Sequence, residues 1–347
     1  MTNEELSPAE LGYRWPAEWE PHEATWLAWP HNCDTWPGSH REMTDEFVRF
    51  AGALAERETV HVLAAAELQR RVAPLLPGRG VVFHDMATND AWVRDYGPTF
   101  LQSRENERPA AVCWRYNGWG EKYPPYDLDA AVSRKIVATL GMRAFDEPLV
   151  VEGGAIEGNG TATLMTTASC LLAANRNPQH GQRQVESILR ARLGCDEILW
   201  LPRGELEGDD TDGHIDQLAR FVDPQTVVVA VADSAEANAA GLAENADFLR
   251  RTSCDVVELP IPPPQISNGQ RLPASYCNFY FAEGCVIVPQ FDSLRADERA
   301  LGVLGDLLPG RDIVGLPARQ ILAGLGAFHC LTQQQPCSPS KLEERLT

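Results

Sequence analysis

The sequence lacks any apolar run near the roughly 18 residues that a membrane-crossing helix needs, so no membrane partner is expected. Residues 1 to 15, MTNEELSPAELGYRW, are acidic where a secretory leader is basic and then apolar, which points to a cytoplasmic protein. Positive charge is scarce: 30 Lys and Arg stand against 49 Asp and Glu, a formal net charge of -19. That balance excludes a nucleic-acid partner, which wants a basic face, and favours cationic small molecules. Neither a GxGxxG nor a P-loop pattern occurs, so nothing supports a doubly wound nucleotide-binding sheet. The nine cysteines (33, 113, 170, 195, 254, 277, 285, 330 and 337) include no pair at the two-residue spacing of zinc or redox sites. Odd in number and scattered, they argue against structural disulfides.

What is present is enough for a large core: 347 residues, 44% of them hydrophobic. Trp- and Pro-rich residues 14 to 32 read as an irregular lead-in that becomes a buried strand at ATWLAW, and residues 41 to 57 have apolar positions at helical spacing. A pattern then recurs. β-rich runs begin at 59 (TVHVLAA), 110 (AAVCWRY), 161 (TATLMTT), 226 (TVVVAVA) and 284 (GCVIVPQ), and helical patterns follow near 66–75, 127–140, 180–193, 234–251 and 293–307. Five such α/β units predict a closed, repeated assembly in one domain spanning 1–347. The Pro-rich ELPIPPPQ at 258–265 reads as a loop rather than a linker.

Ionisable residues gather among turns at four places. GLGAFHCLTQQQP, 324–336, delivers Cys330, flanked by His329, on a glycine-containing turn. A thiol in such a setting is either a small buried hydrophobe or, with a cation, base or free N–H groups nearby, a nucleophile. NDAWVRDYGPTF, 89–100, carries Asp90, Trp92, Arg94 and Asp95. VVEGGAIEGNG, 150–160, carries Glu152, and EGDDTDGHIDQLARF, 207–221, carries Asp209, Asp210, Asp212, His214 and Asp216. An acidic run is commonly a solvated loop and Glu-Gly-Gly a simple turn. The carboxylates with a single His lack the His/Cys set of zinc and the twelfth-position Glu of an EF-hand, so no metal is expected. His214 and Asp216 alternate as on a strand, which would place both on one face. A thiol, an imidazole and several carboxylates without a basic anchor describe a pocket for a cationic electrophile, and a guanidinium fits.

These residues resemble the agmatine deiminase family of the wider guanidino-group-modifying (pentein) superfamily, which also includes bacterial peptidyl-arginine deiminases. The resemblance spans PAEWEPHEATWLAWP (16–30), WVRDYGP (92–98), NGWGEKYPPYD (117–127), EGG (152–154), LLAANRNP (171–178), DTDGHID (210–216), ASYCNFY (274–280) and HCLTQQ (329–334). It implies a five-bladed α/β propeller and a reaction without metal or cofactor. By position, Cys330 would attack the guanidinium carbon, His214 would protonate the leaving ammonia and then activate water, and Glu152 would orient His214. Asp95 and Asp216 would bind the guanidinium nitrogens, while Asp210, Trp92 and Thr211 would read the amine end. Agmatine, yielding N-carbamoylputrescine and ammonia in a polyamine route, is the implied substrate, and a homodimer the implied assembly. Leu325, Phe328 and Glu121 depart from the usual pattern near the substrate's tail. The alternatives are a peptidyl-arginine deiminase with the same catalytic set and, from another class, a non-catalytic polyamine-binding protein.

Overall fold

Each β-rich run forms a strand, at Thr59–Ala64, Ala110–Arg115, Thr163–Thr167, Thr226–Val231 and Cys285–Gln290. The computed structural model describes residues 6–103, 108–338 and 341, and the terminal segment of the acidic N-terminus lies outside them. Helices follow at Ala66–Val72, Val132–Leu140, Gln182–Leu193, Ala239–Leu249 and Leu294–Leu307. The fold is mixed α/β.

Four sheets share one plan: a short antiparallel pair, a crossover through helix, then a parallel strand. Tyr280–Ala282 pairs antiparallel with Cys285–Gln290, which pairs parallel with Asp312–Pro317 after the helix Leu294–Leu307. The sheets built on Ala110–Arg115, Thr163–Thr167 and Thr226–Val231 repeat it. A parallel partner cannot be reached by a tight turn, so each unit needs its helix.

The remaining large sheet differs from the sequence reading. Here the strand equivalent to the others is His22–Ala28, which carries ATWLA; Thr59–Ala64 is its parallel neighbour, and Val81–Asp85 adds a fourth strand. The unit begins with the end of the chain, because Gln333–Pro336 pairs antiparallel with His22–Ala28. A forward scan therefore starts the series one strand late. The strand just after Cys330 is thus stitched to the first long strand of the chain.

The helix His40–Ala55 fixes the nucleophile from behind. It buries Met43, Phe47, Phe50, Ala51 and Leu54 on one stripe, and the Phe50 ring stacks on Phe328 with centroids 4.3 Å apart. Burying one such ring contributes roughly 1.5–3 kcal/mol. The hairpin Gln265–Ser267/Gln270–Leu272 stands at the rim of the main cavity.

Candidate active site

Cys330 lies on the turn following the helix Arg319–Leu322. The turn is held by Asn278, whose Oδ1 accepts the backbone N–H groups of Ala327 (3.2 Å), His329 (3.1 Å) and Cys330 (3.4 Å). Its Nδ2 donates to Cys330 Sγ at 3.2 Å. Gly326 is required for close approach: a β-carbon there would stand 2.6 Å from the Trp92 ring. Cys330 is 7% exposed and opens into a cavity of about 890 Å³ that Trp92, Asp95, Trp119, Asp210 and Thr211 also line. Burial pushes its thiol well above the usual 9, and the charges of Asp216 and Asp95 push the same way. The charges that act most strongly on the sulfur are those two carboxylates, so a bound cation that offsets them would favour the thiolate.

Asp216 sits beside the sulfur. Its Oδ2 accepts from His329 Nδ1 at 2.7 Å and lies 3.5 Å from Cys330 Sγ, while Oδ1 is buried without a hydrogen-bond partner among the described residues. Burial opposes its charge, but His329, His214 and Arg220 outweigh it and hold the carboxyl below its usual value. His329 Nε2 faces Glu18 Oε2 at 2.9 Å. Glu18 also pairs with Arg94 (3.0 Å) and Arg220 (2.9 Å), and Arg220 reaches Glu157 at 2.9 Å. This buried ionic network forms the floor of the site.

Asp95 comes from the one-turn helix Val93–Tyr96. Its Oδ1 accepts from Gly154 N and its Oδ2 from Trp119 Nε1, both at 2.9 Å. Burial raises its pKa, outweighing the pull of His214. His214 Nδ1 lies 3.7 Å from Asp95 Oδ1, and its Nε2 is buried without a hydrogen-bond partner among the described residues. Burial opposes the imidazolium, yet Asp95, Asp216, Glu152 and Asp209 together raise its pKa. Those carboxylates thus shift the ring toward its protonated form.

Glu152 makes no hydrogen bond to His214. Arg176 Nε donates to its two oxygens at 2.9 and 3.2 Å, and Cys170 Sγ lies 3.8 Å from Oε2. Donor atoms of Glu152, Cys170 and His214 lie within 4.8 Å of one another, so Glu152 acts on the ring through charge. Arg176 is a cation that balances Glu152.

The loop 209–214 is built on Asp209, whose Oδ1 accepts from Thr211 N and Oγ1 and whose Oδ2 accepts from Gly213 N. Thr211 Oγ1 in turn accepts from His214 N at 3.1 Å. His214 enters not on a strand but on the lip of a 3-10 turn, Ile215–Gln217. The face predicted from alternation is nevertheless shared: a β-carbon at Gly154 would approach both His214 Nδ1 (2.5 Å) and Asp216 Oδ2 (3.1 Å). Asp210 stands at the rim, where Tyr123 OH donates to its carboxylate and Lys122 Nζ to its carbonyl. Trp92 packs against Trp36 at 5.4 Å on the cavity wall.

Cys330, His214, Glu152, Asp95 and Asp216 thus converge, while Asp210, Thr211 and Trp92 line the outer cavity. Asn278, Trp119, Gly154 and Arg176 escaped sequence reasoning. All four lie inside the motifs quoted above or adjoin them, but none is a residue type that announces proton transfer or thiol chemistry.

A buried thiol ringed by carboxylates and an imidazole, on repeated strand-strand-helix-strand units, defines a guanidino-modifying α/β protein. The chain belongs to the Porphyromonas-type peptidyl-arginine deiminase family, whose model matches residues 14–336. Within that family it is similar to the agmatine deiminase of Medicago truncatula, 35% identical over 97% of this chain and all of the relative. Among solved structures it is similar to the Enterococcus faecalis agmatine deiminase (29% identity, TM-score 0.90, 96% of this chain and 98% of that one). The C. jejuni agmatine deiminase, a Cys-to-Ser variant with substrate bound, is also similar (30% identity, TM-score 0.88, 94% and 97%).

Proposed function

We infer that the protein is an agmatine deiminase, a hydrolase of the guanidino C–N bond that converts agmatine and water to N-carbamoylputrescine and ammonia, a step toward putrescine. The observation that carries this reading is Asp216, whose Oδ2 lies 3.5 Å from Cys330 Sγ and whose Oδ1 is buried with no hydrogen-bond partner among the described residues, an acceptor suited to a cationic N–H donor.

The guanidinium lies between Asp95 and Asp216, and its charge compensates the field that holds the Cys330 thiol protonated. The thiol then releases its proton to solvent, and the thiolate attacks the guanidinium carbon, forming the C–S bond of a tetrahedral adduct. His214 gives its proton to the departing nitrogen, which leaves as ammonia with the C–N bonding pair. The resulting S-amidino carbon is then attacked by water, one of whose protons passes to His214; the C–S bond breaks with its pair returning to sulfur as the thiolate, and the hydroxyl's remaining proton leaves to solvent as the ureido C=O forms. Glu152 supports the charged His214, with Asp95 and Asp216 contributing to the same field. The residues themselves supply nucleophile, acid and base, so the chemistry calls on no cofactor or metal. Asp210, with Trp92 and Thr211, reads the far ammonium of agmatine through charge and an aromatic face.

We further propose that the five sheets close into a five-bladed propeller, a reading supported by the pairing of Gln333–Pro336 with His22–Ala28. The chain then acts as one domain, in the cytoplasm, as a homodimer. Among the described residues no helix is long and apolar enough to cross a membrane.

The family's description and the size of the cavity favour one rival, deimination of arginine within peptides. Asp210 weighs against it, since a peptide backbone offers that carboxylate no cation. Ammonia release from agmatine, free arginine and an arginine peptide, assayed without added metal, separates the readings. Preference for agmatine is expected; activity on the peptide alone would replace the substrate, and silence on all three would leave a polyamine-binding protein.

A further inference from the structure

Arg176 touches none of the reacting atoms of the proposed reaction, yet its guanidinium joins three loops. Its side chain is fully buried. Nε donates to both Glu152 oxygens, Nη1 to Asp212 Oδ2 at 2.6 Å and Asn175 Oδ1 at 3.1 Å, and Nη2 to the Thr211 carbonyl at 2.9 Å. One planar fork thus ties the strand end carrying Glu152 to the loop carrying His214.

The third loop is the turn 118–121, in which Gly118, Trp119, Gly120 and Glu121 all have positive φ (63°, 55°, 80° and 66°). Such a left-handed turn costs roughly 1–2 kcal/mol for each non-glycine residue and persists only if its surroundings hold it. They do so here: Gly120 seats against Asn175 and Arg176 with no room for a β-carbon, and Asn117 Nδ2 donates to the Asn175 carbonyl. Held this way, the turn aims Trp119 Nε1 at Asp95 Oδ2. Asp212, itself at φ 66°, closes the circuit by also accepting from Lys122 Nζ at 2.8 Å.

We propose that Arg176 is a positioning residue for the deimination: it sets Glu152, the 209–214 loop and the Trp119 turn in one register, and so fixes where His214 and Asp95 stand against Cys330. The inference rests on the deiminase reading. Arg176 also has an electrostatic part. His214 faces Asp95, Asp216, Glu152 and Asp209, and Glu152 faces Arg176, Cys170 and His214. With Arg176 replaced by an uncharged residue, Glu152 is left buried without that counter-charge, and the field at His214 changes with the position of Glu152 and of the 209–214 loop. The titration of His214 then moves, and the alkaline limb of kcat/KM, where the protonated His214 is lost, moves with it.

The test compares wild type with Arg176→Met and Arg176→Lys. Readouts are kcat and KM for agmatine across pH, histidine NMR with His214→Gln for assignment, and thermal unfolding. Misplacing reacting groups by about an ångström costs on the order of 10²-fold, so Arg176→Met is expected to lose about that in kcat with a smaller change in KM. The alkaline limb and the His214 midpoint should shift together, and lysine should restore the midpoint more than the rate. Loss of thermal stability with pH profile and His214 titration unchanged would reduce Arg176 to a structural residue and overturn the proposal. Wild-type inactivity on agmatine would remove the deiminase reading alone, because the His214 titration needs no turnover.

Discussion

A β-carbon on Gly154 would stand 2.5 Å from His214 Nδ1, closer than real β-carbons come to any neighbour. The glycine following Gly153 is therefore needed for space, since its φ is not in the left-handed region. It lets Asp95, His214 and Asp216 meet, with Asp95 Oδ1 and Asp216 Oδ2 at 2.9 and 3.1 Å from the same added atom. Gly154→Ala must push these groups apart. Overpacking of this kind costs about 1–3 kcal/mol of stability, and displaced reacting groups cost on the order of 10²-fold in rate. Agmatine kinetics beside thermal unfolding should show a fall in kcat/KM far beyond the loss of folded protein. A fully active Gly154→Ala protein would mean that the three side chains need not converge.

Cys330 carries a prediction about reagents of different charge. Burial, with Asp216 and Asp95, holds its thiol well above the usual 9, so the free enzyme presents little thiolate at neutral pH. Alkylation by neutral iodoacetamide should be slow at pH 7 and still rising above pH ~9. A haloacetamidine brings its own cation to the two carboxylates, which should move its reaction with Cys330 to lower pH. Peptide mapping should locate this label on Cys330 and not on the other eight cysteines. Identical pH profiles for the two reagents would show that the carboxylates do not govern the sulfur, and a label placed elsewhere would remove Cys330 as nucleophile.

The fold was legible where chemistry and period coincide. Valine- and isoleucine-rich runs such as Thr226–Val231 can hardly be other than buried strands, and the helix behind each follows from parallel pairing. The start of the series was not legible, because Gln333–Pro336, a strand of polar residues, completes the first sheet from the far end of the chain. At the site, the titratable residues could be read because their types announce their chemistry. Asn278 and Arg176 could not, since they act by hydrogen-bonding loops whose proximity exists only in three dimensions. The departures Leu325 and Glu121 acquire a meaning the sequence does not disclose: both sit at left-handed φ, 74° and 66°, where glycine is the unstrained residue.

Asp210 tests substrate choice. Its carboxylate, aimed by the Tyr123 hydroxyl, lies on the outer wall of the cavity that Cys330 enters. Hydrogen bonds to charged groups are worth about 1.5–3 kcal/mol. Asp210→Asn is therefore expected to lower kcat/KM for agmatine by roughly 10- to 100-fold. A neutral alkylguanidine of the same length should lose little, and Tyr123→Phe should show a weaker version of the same bias. Equal losses for the two substrates would deny Asp210 the amine-reading role while leaving the reaction in place.

Glu18 offers the corresponding test of the floor. Its Oε1 accepts from Arg220 and from Phe281 N, both at 2.9 Å, and its Oε2 from Arg94 at 3.0 Å and His329 at 2.9 Å. Burial alone would raise its pKa; Arg220, His329 and Arg94 outweigh burial and hold it well below the usual 4.5. A carboxyl depressed in this way contributes stability above its unfolded value, lost only as pH falls through the lower folded value. Glu18→Gln keeps the shape but turns an N–H toward donors and leaves two buried guanidinium groups short of a counter-charge. Breaking a buried pair from one side costs about 3–5 kcal/mol. Denaturant unfolding at pH 7 should show that loss. The gap between the two proteins should narrow on acidification, as the wild type surrenders what the variant never had. A gap below about 1 kcal/mol at pH 7, the worth of an ordinary exposed ion pair, would mean that the floor is held together by packing instead of by Glu18.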